Sequence, residues 1–183
     1  MTAPPLDVRH IAAALPDPDA DLAFLLAEVD WDDRIRARRT ASFGTPYNYS
    51  GHHYDPAPMP PRIAAIAAIA ATHAGHHYDN CLANRYDTGE HTMGFHRDSY
   101  EGLVPDSAVA IVSLGATRTL VFRGEDRAHR AEIVLEHGSL LLMTAETQRH
   151  WTHAVPRAAG VGLRCSLTFR RFAVVRPASA SDR

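Results

Sequence analysis

His96 and Asp98 stand one residue apart in Gly94-Phe95-His96-Arg97-Asp98. In extended backbone the side chains alternate sides, so both point to the same face. An imidazole and a carboxylate on one face make two corners of a metal site. His153, within Trp151-Thr152-His153-Ala154-Val155-Pro156, is the candidate third corner. Two histidines and one carboxylate on one side of a metal leave its other side open. That ligand set suits Fe(II) with free positions for O2 and a cosubstrate. The competing reading of so short a motif is a surface or structural histidine.

The second set of candidates is cationic. In Arg164-Cys-Ser-Leu-Thr-Phe-Arg170, the residues at 164, 166, 168 and 170 share one face of a strand, and Cys165, Leu167 and Phe169 share the other. Two arginines on the polar side of a buried strand need an anion. The guanidinium fork matches a carboxylate in two hydrogen bonds, so a dicarboxylate satisfies both; internal pairing with Asp or Glu does so equally. Arg34, Arg36, Arg38 and Arg39 form another stripe in the run from Arg34 to Phe43, read as a strand with one charged face. It is either a solvated edge or a phosphate-contacting surface. Tyr47 and Tyr49 sit in a turn-rich loop running to Pro61. They either stack on a base or plug the loop onto the core.

These residues need elements to position them. Residues 1–18 read as an arm packed on the domain. Leu22, Leu25, Leu26 and Val29 recur at helical spacing behind Asp19, which is placed to cap a helix over 19–29. Ile63, Ile66 and Ile69 mark a second helix over 62–77, with Pro60 and Pro61 at its start and Gly75 at its end. His73, His76 and His77 suit that helix end, and the His52-His53 pair suits a solvated loop; neither group is read as a metal cluster. From Cys81 the pattern changes to short strands: 81–86, 108–113, 119–123, 132–136, 140–143, 152–155 and 163–172, with Gly at the turns. Helices followed by a run of strands predict an α+β, mainly β fold, with helices covering one face of a double sheet.

Composition sets the frame. The 183 residues make a single domain, with helices and a lid over 1–80, a β core over 81–173 and a polar tail over 174–183. The 45% hydrophobic and 22% charged content is ordinary for a soluble globular chain. No apolar run suits a membrane span, and no secretion signal is legible at the N-terminus. Cys81 and Cys165 lack CxxC partners and read as small buried hydrophobes, so a cytoplasmic location is expected. All 19 basic side chains are Arg, yet the net charge is -2, so any nucleic-acid contact must be a local patch.

Taken together, the chain resembles the AlkB family of Fe(II)/2-oxoglutarate dioxygenases over roughly 43–172. The resemblance rests on Phe43-Gly44, Tyr47-Asn-Tyr49-Ser-Gly51, Asn84-Arg-Tyr86-X-X-Gly89 and His96-X-Asp98. It continues through Ser113-Leu-Gly115, His137-Gly-Ser-Leu-Leu, Trp151-X-His153-X-Val-Pro and Arg164-X-Ser-Leu-Thr-Phe-Arg170. It implies a double-stranded β-helix (jelly roll) with Fe(II) on His96, Asp98 and His153. It also implies that Asn84, Tyr86 and Arg164 hold the distal carboxylate of 2-oxoglutarate, with Ser166 and Arg170 near its metal-bound end. Leu82 matches a pocket-lining position, and Tyr47 and Tyr49 match a nucleotide-recognition lid. Two departures stand out. Ser166 replaces the Asn common in the family. Tyr100 occupies a place that is usually acidic, with Glu101 next to it.

The implied function is oxidative demethylation of N-alkylated bases in DNA or RNA, using O2 and releasing formaldehyde, succinate and CO2. The substrate is expected to be single-stranded or to have its base flipped out, and the protein to be a monomer. Two alternatives stay open: the same cofactor chemistry on a protein, lipid or small molecule, motivated by Tyr100, and a non-catalytic metal-binding β-fold.

Overall fold

In the computed structural model the described residues are 5–46, 54–99 and 101–173. The elements run β1 (Val8–Ile11), α1 (Pro18–Glu28), β2 (Arg39–Gly44), α2 (Pro61–Ala74), β3 (Asn80–Tyr86), β4 (Met93–His96) and β5 (Val109–Gly115). They continue with β6 (Arg118–Gly124), β7 (Arg130–Leu135), β8 (Ser139–Met143), α3 (Ala145–His150), β9 (Trp151–Val155) and β10 (Arg164–Arg170). The strands build a six-stranded antiparallel sheet, β1-β8-β5-β10-β3-β2, and a four-stranded one, β4-β9-β6-β7.

Strand alternation explains the layers. On β5, Ala110, Val112 and Leu114 join Cys165, Leu167 and Phe169 of β10 against α1 and α2. Val109 and Ile111 face the other way and pack with Leu120, Phe122, Leu135 and Trp151 of the smaller sheet. This is the expected jelly roll, with both helices on the outer face of the larger sheet. Burying each large aliphatic side chain stabilises it by about 1.5–3 kcal/mol, and Leu25, Ile63, Leu114 and Leu167 are fully buried.

α2 ends as its sequence dictates: Gly75 adopts φ 77 and its N–H donates to the Ala71 carbonyl. α1 starts at Pro18, one residue earlier than expected. Asp17, not Asp19, is the cap; its Oδ1 accepts from the Ala20 N–H at 3.3 Å. Leu26 is 38% exposed, so the apolar stripe of α1 is narrower than its spacing suggests.

Three further expectations are corrected. The arm contributes β1, because Val8–Ile11 pairs with the open edge of β8. The run from Arg34 to Arg38 is not strand. Asp32 accepts from both the backbone N–H and the Nε of Arg34, a local bond that turns the chain before β2 begins. The short α3 before β9 has its own signal in Thr144, whose hydroxyl accepts from the Thr147 N–H.

Candidate active site

The end of β4 meets β9 so that His96 and His153 are direct cross-strand partners, with ring centroids 4.3 Å apart. Asp98 follows two residues beyond β4. Its carboxylate and one nitrogen from each ring all lie within 4.8 Å of one another. The His96 Nδ1 lies 2.9 Å from the Gly94 carbonyl, which can only accept, so Nδ1 carries the proton and Nε2 keeps its lone pair for a metal. Burial lowers the His96 pKa despite Asp98 nearby. It brings His153 down to about 3, with the neighbouring His96 adding to the effect. Both rings are therefore neutral at physiological pH, as ligation requires.

Burial, the largest single influence, would raise the Asp98 pKa, but the charge and hydrogen bond of Arg170 together with the two neighbouring histidines outweigh it and hold the carboxyl at about 2. Arg170 Nη2 donates to Asp98 Oδ1 at 2.7 Å. On the other oxygen, Gln148 Nε2 donates to Oδ2 at 3.0 Å. So the internal ion pair considered for the β10 arginines is realised at Arg170, and its partner is the candidate metal ligand.

From the metal corner a polar stripe crosses the inner face of the larger sheet. β10 places Thr168 between Leu82 and Ile111, Ser166 between Asn84 and Ser113, and Arg164 between Tyr86 and Gly115. Leu82, Asn84, Met93, Ile111 and Thr168 line one cavity with the three ligands and Arg170. Arg164, at the far end, is 1% exposed. Its Nε donates to Ser113 Oγ at 2.9 Å, its guanidinium lies 5.3 Å from the Tyr86 ring centroid, and its Nη1 has no partner among the described residues. Arg118, also buried, sits on the same tyrosine at 5.7 Å and donates to the carbonyls of His91 and Pro156. Among the described residues no carboxylate pairs with either guanidinium. Two buried cations with an unused N–H fit the distal carboxylate of 2-oxoglutarate.

Of the residues singled out in the sequence, His96, Asp98, His153, Asn84, Leu82 and Arg170 meet at the cavity, and Tyr86, Ser166 and Arg164 continue the stripe. Glu101 is exposed in a turn, its N–H bonded to Ser99 Oγ at 3.2 Å. Tyr47, Tyr49 and Tyr100 lie outside the described residues. Of the arginine stripe, Arg38 enters the site: it is buried, lines the cavity and donates from Nε to Asn84 Oδ1 at 2.7 Å. Arg34 and Arg39 pair with Asp32 and Asp87 instead. Sequence reasoning missed Gln148, although it stands in the same short segment as His153.

Residues 28–170 match the model of the 2OG-Fe(II) oxygenase superfamily. The DNA oxidative demethylase ALKBH2 of Homo sapiens is 35% identical over 151 residues, covering 76% of this chain and 58% of that protein. The alpha-ketoglutarate-dependent dioxygenase alkB homolog 3 of Rattus norvegicus is 30% identical over 177 residues, covering 85% of this chain and 60% of that protein. The chain thus spans less than two thirds of the length of these curated relatives. The solved structure of OsALKBH1 superposes with a TM-score of 0.71 at 16% identity, covering 93% of this chain and all of that one, a likeness that shows the fold. The chain belongs to the 2OG-Fe(II) oxygenase superfamily and, within it, to the AlkB family.

Proposed function

We propose that this protein is an Fe(II)/2-oxoglutarate-dependent dioxygenase that oxidatively demethylates N-alkylated bases in nucleic acid. The observation that carries the reading is the continuity of the site. The His96-Asp98-His153 cluster runs through Arg170 and a polar stripe to a buried Arg164 that has no carboxylate partner among the described residues. The names of the curated relatives support a nucleic-acid substrate.

The bound cofactors supply the oxidising power: O2 is reduced as 2-oxoglutarate becomes succinate and CO2, and a substrate C–H bond gains a hydroxyl. The chain supplies position and dryness. His96, Asp98 and His153 hold the metal. Asn84, Tyr86 and Arg164 hold the distal carboxylate of 2-oxoglutarate, while Ser166 and Arg170 border its metal-bound end. Leu82, Met93 and Ile111 give the cavity apolar walls against which a methylated ring can lie. No side chain needs to act as a general acid or base, because an N-hydroxymethyl product releases formaldehyde by itself.

Single-stranded or flipped-out bases are the expected substrates, since a lesion inside a duplex must leave the stack to reach the metal. Tyr47, Tyr49, Tyr100 and Glu101 are the side chains we assign to base contact. A monomer in the cytoplasm suits this task. A panel of single- and double-stranded oligonucleotides, each carrying 1-methyladenine or 3-methylcytosine in a DNA or RNA backbone, tests the proposal. Formaldehyde release on one or more of them supports it. Succinate formed at the uncoupled background rate on all of them would move the substrate to a protein, lipid or small molecule.

A further inference from the structure

Asp98 lies past the end of β4, in irregular backbone, so no strand register fixes its carboxylate plane. Two donors do so instead. Arg170 Nη2 takes Oδ1 at 2.7 Å and Gln148 Nε2 takes Oδ2 at 3.0 Å. An ionised carboxylate only accepts, so Gln148 must turn its NH2 toward Asp98 and its carbonyl away. That carbonyl, Oε1, is buried and has no partner among the described residues. Gln148 is 2% exposed, and the one side-chain hydrogen bond it makes there is to Asp98. A glutamine serving only the packing would pair both ends of its amide, since an unsatisfied buried carbonyl is costly.

The geometry points to Gln148 as the positioning residue that keeps Asp98 available to the metal; this rests on the proposed metal site. An arginine beside a carboxylate favours the bidentate arrangement, with both oxygens turned to its fork. With Arg170 alone, Asp98 rotates about its Cβ–Cγ bond into that arrangement and competes with metal binding. The Gln148 amide holds Oδ2 on the opposite side and blocks the rotation. Gln148 is itself well anchored. It stands on α3, where Thr147 Oγ1 donates to the Asp7 carbonyl at 2.7 Å and accepts from the Asp7 N–H at 2.9 Å. Asp7, just before β1 in the arm, thus fixes α3, α3 helps to hold Gln148, and Gln148 orients the ligand. Gln148 and Asp98 together border a cavity of about 290 Å³ that is also walled by Leu103, Val104, Pro105 and Ala145, so the amide is not tightly packed on that side.

The test is a titration of the metal-free full chain with Co(II), followed by the visible absorption of the bound ion and by thermal unfolding before metal is added. Gln148→Met keeps the length of the side chain and removes its donor. The expected result is a Co(II) affinity weaker by about 10- to 100-fold, as for other residues that orient metal ligands, with altered band positions in the saturated complex. The melting temperature of the metal-free variant is expected to be unchanged or higher, because the unpaired carbonyl is gone. Thr147→Val loosens α3 without touching Asp98 and is expected to lower the melting temperature while weakening Co(II) binding less than Gln148→Met does, because the Gln148 amide still reaches Asp98. Unchanged affinity and spectrum in Gln148→Met would overturn the inference, as would a Thr147→Val variant that loses affinity to the same extent. Asp98→Ala separates the two levels. Full Co(II) affinity in that variant would refute the metal site itself, whereas loss there with none in Gln148→Met would refute only the positioning role.

Discussion

Arg170 and Asp98 form an ion pair at 2.7 Å in which each side chain is 3% exposed, so the same carboxylate serves the stability of the barrel and the candidate metal site. Removing one partner of a buried pair leaves the other charge uncompensated, at a cost of about 3–5 kcal/mol. Arg170→Met is therefore expected to lower the unfolding free energy of the metal-free protein by about that much, read by urea denaturation. A loss below about 1 kcal/mol, typical of an exposed pair, would mean that water reaches the pair.

The histidines give the metal-free protein a pH dependence with a defined sign. Burial holds His153 at about 3 and lowers His96 as well, whereas an unfolded histidine titrates near about 6.5. Between those values the unfolded chain binds more protons, so stability rises with pH. It is complete above about 6.5 and is lost as pH falls toward about 3, by roughly 1 kcal/mol per pH unit from His153. Asp98, held at about 2, adds to the loss only at the acid end: its contribution is complete above about 3.9 and is lost as pH falls through about 2. Urea midpoints of the metal-free protein are expected to drop between pH 7 and pH 5. A flat profile would contradict neutral buried rings.

Arg164 separates binding from folding. Its guanidinium is buried with no carboxylate partner among the described residues, so Arg164→Met is expected to leave the stability of the cosubstrate-free protein unchanged or raised. The same change is expected to raise the KM for 2-oxoglutarate by at least about 100-fold, the loss of a charge-assisted pair worth roughly 3 kcal/mol. Initial rates at varied 2-oxoglutarate, with thermal unfolding alongside, check both halves. An unchanged KM would place the distal carboxylate elsewhere.

Most of the site was legible because strands are periodic. The i, i+2 spacing of Arg164, Ser166, Thr168 and Arg170 translates directly into one face of β10; the same spacing brings His96 and Asp98 together although Asp98 lies past the end of β4. The opposite face of β10 is buried against the helices as its residues suggested. What was not legible depends on partners distant in sequence. Gln148 and Asp98 are 50 residues apart, and nothing local distinguishes that glutamine from an exposed one. Arg38 reaches Asn84 across 46 residues, because Asp32 first turns the preceding segment out of extended backbone. The arm became a strand only because β8 offered it an edge.

Gly115 ties the fold to the cosubstrate end. It adopts φ +87, and a Cβ there would lie 2.5 Å from the Leu163 carbonyl oxygen, beside the start of β10. Gly115→Ala is expected to cost at least about 1–3 kcal/mol through backbone strain. By displacing Arg164 it is also expected to raise the KM for 2-oxoglutarate more than that for the oligonucleotide. Thermal unfolding and paired KM determinations check this; equal effects on both substrates would mean general loosening of the fold.

Product stoichiometry separates coupled demethylation from idle turnover. Iron-loaded protein is mixed with 2-oxoglutarate and single-stranded DNA carrying 1-methyladenine or 3-methylcytosine, and formaldehyde and succinate are measured together, with His153→Ala as the control. The account predicts formaldehyde in step with succinate from the parent protein and neither from the variant. Succinate without formaldehyde, or formaldehyde that survives the loss of His153, would contradict it.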